Sequence, residues 1–117
     1  MIKLCYIAGP YRADCALKTS RNVSRAEQAG KRLALQRPGW FPVIPHKNTE
    51  LWDFDGGLRN IQPEYYLSGT LEVMRRCDAV LVLPDYRRSS GTIAEIAEAE
   101  RLGIPVYYSV ESVPEHG

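Results

Sequence analysis

The 117-residue chain contains little cysteine and no excess of charge of either sign. Its three cysteines, Cys5, Cys15 and Cys77, are odd in number and form no C-x-x-C pair. That pattern argues against a disulfide framework or a zinc site and favours a reducing, cytoplasmic setting. Fifteen basic residues stand against fourteen acidic ones, which leaves a net charge of +1. Such a balance does not resemble the broad basic surface of a protein that binds duplex DNA.

Long apolar runs and targeting signals are also missing from the sequence. No apolar run approaches the roughly 20 residues that a membrane span needs, and we expect no signal peptide before the first apolar run. Apolar residues make up 44% of the chain and charged residues 25%, as in ordinary soluble globular proteins. We therefore expect residues 1–117 to form one soluble cytoplasmic domain that uses neither a membrane nor duplex nucleic acid as a partner. Because no metal-ligand spacing is visible, we expect no metal and no cofactor.

What the chain does contain is a regular alternation of predicted strands and helices. Apolar runs bounded by turn residues predict strands, and apolar positions at helical spacing predict the helices between them. This order predicts an α/β fold, a small doubly wound parallel sheet of the flavodoxin or Rossmann type with helices on both faces. The predicted strands cover residues 2–9, 40–46, 79–84 and 105–110, and the predicted helices cover residues 20–37, 63–78 and 91–102.

Three details refine this prediction. Pro42 indicates a bulge or an edge position for the second strand, because proline has no backbone N–H to donate to a neighbouring strand. The run AVLVLP at residues 79–84 is apolar throughout, as expected for a central strand covered on both sides. The C-terminal residues 111–117 are expected to form a loose tail.

The first candidate site residues follow the first strand, in the stretch YIAGPYR at residues 6–12. In open parallel sheets, ligands bind beyond the carboxyl ends of the strands, where the strand order reverses. Gly9 would allow close backbone approach, and Tyr6 and Arg12 can reach a bound group. Neither G-x-G-x-x-G nor G-x-x-x-x-G-K-[ST] is present, so the dinucleotide and Walker motifs are missing. The alternative is an ordinary strand-ending turn whose tyrosine packs in the core.

The turn after the third predicted strand carries the richest chemistry, in the stretch DYRRSSGTIAE at residues 85–95. Backbone N–H groups at Ser90 and Gly91, together with the helix dipole and the hydroxyl of Ser89, would attract an anion. Glu95, one turn into the following helix, can point back over the strand ends. The alternatives are an ordinary serine N-cap and a first-turn glutamate favoured by the dipole.

His46 is predicted to close the second strand, where it would donate to or accept from a ligand. The alternative is a histidine whose hydrogen bonds are satisfied by the adjoining loop. That loop, residues 47–62, is polar and long, which is typical of active-site lids.

The stretches YIAGPYR, PVIPH and CDAVLVLPDYRRSSGTIAEIAEAERLGIPVYY resemble the nucleoside 2-deoxyribosyltransferase superfamily. The likeness is to its small, largely uncharacterised bacterial and phage branch, related to the 2′-deoxynucleoside 5′-phosphate N-hydrolases. It covers roughly residues 2–108 and is most specific over residues 78–106. Members cleave the N-glycosidic bond of deoxynucleosides or their 5′-monophosphates, passing the sugar to another base or to water. The resemblance therefore implies a nucleoside or nucleotide substrate and an assembly of two or more copies.

The resemblance also implies roles for individual residues. The family nucleophile corresponds to Glu95, and the first-strand tyrosine that assists at the sugar corresponds to Tyr6. The serine that binds the 5′-phosphate in the N-hydrolases corresponds to Ser89, and their first-turn glycine and arginine correspond to Gly9 and Arg12.

One position departs from that pattern. The N-hydrolases carry an aspartate where this chain has Thr70, and Glu72, Asp53 and Asp55 are weaker substitutes for it. Two main hypotheses follow: an N-glycosidase or deoxyribosyltransferase that uses Glu95, or a non-catalytic nucleotide-binding module of the same fold. A third option is a structural or regulatory subunit that binds no small molecule. The doubled serine and the pair Arg87–Arg88 favour a nucleotide over a nucleoside.

Overall fold

Four parallel strands form the sheet of the computed structural model, which describes residues 1–52, 55–58 and 60–116. The strands are β1 (Lys3–Ala8), β2 (Trp40–Val43), β3 (Ala79–Val82) and β4 (Val106–Tyr107). The helices are α1 (Ala16–Gln36), α2 (Pro45–Asn48), α3 (Pro63–Arg75) and α4 (Ser90–Leu102). The structure confirms the predicted parallel α/β fold. Within the described part of the chain, no helix is both long and apolar enough to cross a membrane.

The strand order is β2-β1-β3-β4. The chain therefore moves to one side of β1 to form β2 and then crosses to the other side to form β3. Tyr6 of β1 is in register with Val43 of β2 and with Val80 of β3. Because the order reverses beside β1, a crevice is expected at the carboxyl ends of β1 and β3.

Helices cover both faces of the sheet, because successive side chains of each strand point to opposite faces. Cys5 and Ile7 of β1 pack on the face that α1 covers, together with Leu33. Tyr6 and Ala8 pack on the other face, where α3 and α4 contribute Met74, Ile96 and Ala99.

The positions of the second and third strands are as predicted. β2 lies at the edge of the sheet and contains Pro42. β3 lies inside the sheet, and its four residues are all buried.

The predicted second strand is too long, and this changes the position of His46. β2 ends at Val43, and Pro45 begins the short helix α2, which contains His46. Proline fits the first turn of a helix because its missing N–H has no partner there in any case. His46 therefore lies in a helix after the strand, and the prediction that it closes the strand was wrong.

The C-terminal tail is also ordered, contrary to prediction. Val110 and Val113 are buried in the core beneath α1. Arg37 Nε donates to the carbonyl of Val113 at 2.7 Å, and Trp40 Nε1 donates to the carbonyl of Pro114 at 2.8 Å. These contacts attach the tail to α1 and β2.

Candidate active site

A cavity of about 520 Å³ opens at the carboxyl ends of β1 and β3. It lies where the strand order reverses, as the topology predicts. Segments from four parts of the chain enclose it: the turn after β1, helix α2, one face of α3 and the start of α4. The structure brings all eight candidate site residues to its wall: Tyr6, Gly9, Arg12, His46, Ser89, Ser90, Gly91 and Glu95.

Tyr6 and Glu95 meet at the inner end of the cavity. The Tyr6 hydroxyl donates a hydrogen bond to Oε2 of Glu95. Tyr6 is 0% exposed and Glu95 7%. Burial raises the pKa of Glu95, because a low-dielectric environment disfavours its charged form, and the Tyr6 hydrogen bond opposes that shift. Burial and the Glu95 charge raise the pKa of Tyr6, so the phenol keeps its proton and stays a donor.

Thr70 of α3 is the third polar group at this end. Its hydroxyl donates to the carbonyl of Leu67 at 3.2 Å. It also lies close enough to Glu95 to stabilise the carboxylate and lower its pKa. Thr70 thus faces the Tyr6–Glu95 pair from the position where the N-hydrolase pattern has an aspartate.

Ser89 is the N-cap of α4. Its Oγ accepts hydrogen bonds from the backbone N–H of Thr92 at 3.1 Å and from the Thr92 hydroxyl at 2.9 Å. The N-cap interpretation is therefore correct. A hydroxyl can accept two hydrogen bonds and still donate one, so capping leaves the Ser89 O–H able to donate. The N–H groups of Ser90 and Gly91, in the first turn of α4, have no carbonyl within the helix to pair with.

His46 lies in the cavity wall and holds the turn after β1 in place. Its Nε2 lies 3.1 Å from both the Gly9 and the Pro10 carbonyl oxygens. Because carbonyls only accept, Nε2 carries the hydrogen. Burial lowers the pKa of His46, so the ring is neutral, and among the described residues Nδ1 has no hydrogen-bond partner. The carbonyls that satisfy Nε2 belong to the turn after β1, and not to the adjoining loop.

Arg12 contacts the faces of two tyrosines that the sequence reading did not select. Its guanidinium lies 4.4 Å from the ring centroid of Tyr66 and 5.1 Å from that of Tyr11. Tyr11 also packs edge-on against His46. Helical spacing could have identified Tyr66, because one face of α3 lines the cavity at regular intervals. Its residues there are Pro63, Tyr66, Leu67 and Thr70.

Several other polar residues lie elsewhere. The guanidinium of Arg87 packs 4.9 Å from the ring centroid of Tyr86, and neither Arg87 nor Arg88 is among the described residues that line the cavity. Glu72 binds Arg75 and Arg76 on the exposed face of α3, so it does not replace the missing aspartate. Asp53 lies outside the described residues.

No group of three His, Cys, Asp or Glu side chains in residues 1–52, 55–58 and 60–116 is arranged to hold a metal ion. The polar groups that the described residues bring to the cavity are hydroxyls, backbone amides, two carboxylates, one guanidinium and the His46 imidazole.

Gly9 and Gly91 both line the cavity, but only the second position has room for a Cβ atom. A Cβ at Gly9 would lie 2.5 Å from Leu83 Cδ1, whereas a Cβ at Gly91 would come no closer than 3.9 Å to Leu67 Cδ1 or Ser89 Oγ. Gly9→Ala should therefore lower the free energy of unfolding by about 1–3 kcal/mol through overpacking. Gly91→Ala should change it by no more than about 0.5 kcal/mol. Urea unfolding measures the free energy of unfolding of both variants. Equal losses would contradict the prediction that Leu83 leaves no room for a side chain at Gly9.

Comparison with known proteins gives two matches. A family model described as "Domain of unknown function (DUF7768)" matches residues 3–109. Among solved structures, a 2-deoxyribosyltransferase from the psychrotolerant bacterium Bacillus psychrosaccharolyticus superposes with a TM-score of 0.58 and 22% sequence identity. That superposition covers 88% of this chain and 69% of the other. No curated protein matches the chain in sequence. At this level of identity, the structural match shows a shared fold.

Proposed function

We propose that this chain, which belongs to the DUF7768 family, breaks the N-glycosidic bond of a nucleoside or nucleoside 5′-monophosphate. The observation that carries the proposal is the buried Tyr6–Glu95 pair at the inner end of a cavity. Buried carboxyl groups with perturbed pKa values cluster at functional sites. The superposed protein is a 2-deoxyribosyltransferase, which supports a reaction at a nucleoside sugar.

The proposed mechanism uses Glu95 as the nucleophile. Glycosidic bonds break through an oxocarbenium-like transition state, and a carboxylate below the sugar can trap that state as a covalent glycosyl-enzyme. The Tyr6 hydroxyl orients the carboxylate and opposes the rise in its pKa that burial causes. Attack by water then completes a hydrolysis, whereas attack by a second base completes a transfer.

The outer end of the cavity would hold the rest of the substrate. The Ser89 hydroxyl, the backbone N–H groups of Ser90 and Gly91, and the Arg12 guanidinium are donors suited to a 5′-phosphate. The loop over residues 47–60 would cover the base. Trp52 from this loop packs edge-on against Tyr66 of the cavity wall, with ring centroids 6.0 Å apart.

A second candidate function is a nucleotide-binding module without catalysis, and Thr70 is the observation that favours it. A threonine hydroxyl cannot act as the general acid that protonates a departing base near neutral pH. A binding module would keep its ligand affinity after Glu95→Gln and would never release base.

The test is chromatographic detection of free base. The purified protein is incubated with ribo- and deoxyribonucleosides and with their 5′-monophosphates, beside the Glu95→Gln variant. Release that disappears in the variant supports cleavage through Glu95 and identifies the substrate. If no base is released while a nucleotide raises the melting temperature, the binding module is the better description, because a ligand specific for the folded state stabilises it.

A substitution at Ser89 should show whether a phosphate lies at the start of α4. Asp and Asn both replace serine well as N-caps, so Ser89→Asp and Ser89→Asn should both fold. Ser89→Asp places a negative charge beside the proposed phosphate and should raise KM for the 5′-monophosphate by at least about tenfold, the equivalent of 1.4 kcal/mol. The KM for the matching nucleoside should change little. Equal effects of the two variants on both substrates would contradict a phosphate at this position.

A further inference from the structure

The polar groups that the structure describes next to Glu95 are unable to supply a proton near neutral pH. Tyr6 holds its proton, since burial and the neighbouring carboxylate raise its pKa. Thr70 carries only an aliphatic hydroxyl, and the neutral His46 uses its Nε2–H for the Gly9 and Pro10 carbonyls. Among the described residues that line the cavity, the one further acid is Glu64, an exposed side chain in the first turn of α3.

A planar cation of the protein itself lies in the same cavity. The Arg12 guanidinium lies against the faces of Tyr11 and Tyr66, and aromatic faces attract cations through their negative quadrupole. Arg12 is itself exposed and not part of the core. The described wall also carries two carboxylates, Glu64 and Glu95, against one guanidinium. Both features favour a cationic group at this position.

We infer that the preferred substrate is a nucleoside or nucleotide whose base carries a permanent positive charge, such as an N7-alkylated purine or a pyridinium. This inference rests on the proposed glycosidic cleavage at Glu95. The charged base would occupy the faces of Tyr11 and Tyr66 that the Arg12 guanidinium now covers, and the guanidinium would move to the 5′-phosphate where the substrate carries one. A threonine at position 70 then fits this class of substrate, because a cationic base needs no acid to donate a proton before it leaves.

The reaction balances without a general acid. The Glu95 carboxylate attacks C1′ of the sugar and forms an ester bond. The C1′–N bond breaks, and its electron pair neutralises the positive nitrogen, so the base departs uncharged. Water then attacks C1′, the ester bond breaks and the Glu95 carboxylate is restored. One proton from the water passes to solvent for each cationic base released.

The experiment compares two purines that differ by one methyl group and one charge. Free base is measured for 7-methylguanosine and guanosine and for their 5′-monophosphates, with Glu95→Gln as the blank. We expect kcat/KM for the methylated compound to exceed that for its neutral partner by at least about 100-fold, because general acid catalysis contributes about 10²–10⁴-fold where it operates. Spontaneous release is subtracted in each case.

Substitution of Thr70 tests the reason for that preference. Thr70→Asp should raise base release from guanosine or its monophosphate by at least about tenfold, since a carboxyl beside Glu95 has a raised pKa and can donate a proton. Release from 7-methylguanosine should not rise, because a cationic base needs no proton in order to leave. Thr70→Asn, which has a similar shape and no acidic proton, is the matched control, and melting temperatures show that both variants fold.

The outcomes distinguish this inference from the proposed function. Glu95-dependent release of guanine and 7-methylguanine at equal rates would overturn the preference for a cationic base and leave the cleavage standing. If Thr70→Asp raised release from the cationic compound as much as release from guanosine, the role given to Thr70 would be overturned. Release from none of the four compounds would overturn the inference, and failure of the wider nucleoside panel would overturn the proposed function as well.

Discussion

Replacement of Glu95 by glutamine should lower the rate of base release by at least about a thousandfold, because loss of a nucleophile removes most of the transition-state stabilisation. Glutamine has nearly the same shape and can still accept the Tyr6 hydrogen bond. The cavity should therefore keep its form, and ligand affinity should change little. Base release under saturating substrate, together with ligand-induced shifts in melting temperature, measures the two effects separately.

The same substitution should make the fold more stable. Burial raises the pKa of Glu95, so the folded state binds this proton more tightly than the unfolded chain does. The wild-type protein consequently loses stability as the pH rises through the folded-state pKa, and Glu95→Gln does not. We expect the variant to gain about 1 kcal/mol at neutral pH, as is common when a buried ionisable residue of an active site is replaced. The difference should vanish below about pH 4, the pKa of glutamate in unfolded chains.

The control for this result is Glu98→Gln on the outer face of α4. Glu98 forms ion pairs with Arg75 and Arg101, which lower its pKa to about 2. Its replacement should leave base release unchanged, and any change in stability should be a loss. If Glu95→Gln retained activity, or lost stability at neutral pH, Glu95 would not be a buried ionisable nucleophile.

Replacement of Tyr6 by phenylalanine should lower the rate of base release by about 100-fold, comparable to the loss of one preorganised donor at other active sites. The ring keeps its packing on the sheet face that α3 and α4 cover, but the Glu95 carboxylate loses the hydroxyl that orients it. A buried acceptor without its donor costs about 1–3 kcal/mol. A loss of both activity and stability is therefore expected.

The pH dependence distinguishes this effect from simple misfolding. The Tyr6 hydrogen bond lowers the pKa of Glu95, so its removal should raise that pKa further. Because the nucleophile must be ionised, the acidic limb of the rate profile should move to higher pH in Tyr6→Phe. Tyr65→Phe is the matched control, since Tyr65 is 64% exposed on α3 and its hydroxyl should not affect the profile. An unshifted acidic limb would show that Tyr6 does not act on Glu95.

The sheet could be predicted from sequence because its signals are local. The apolar run of β3 indicated a strand covered on both faces, and Pro42 indicated an edge. The short helix α2 was missed because the apolar stretch from Trp40 to Ile44 continues past the end of β2, and only Pro45 marks the change. The tail was missed because Val110 and Val113 are buried by contacts with α1 and β2. Such contacts join segments far apart in sequence and leave no local pattern.

The cavity wall was predictable where the strand-end rule applies. Tyr6 and Gly9 follow from the end of β1, and Ser89, Ser90 and Gly91 follow from the turn after β3. The approach of Thr70 to Glu95 and the stacking of Arg12 on Tyr66 depend on how α3 packs against the sheet. Helical periodicity identifies one face of α3 but does not fix its position over the strands, so these contacts required the structure.

Tyr6 and Glu95 stand 89 positions apart in the chain, and both neighbours of β1 come later in the sequence. A ribosome therefore completes β1 long before it makes β3 or α4, and closing so long a loop is slow on the scale of helix formation. A nascent chain that ends before position 95 contains Tyr6 without its partner. The chemistry that we assign to Tyr6 and Glu95 can begin only when α4 has been synthesised and β3 has paired with β1.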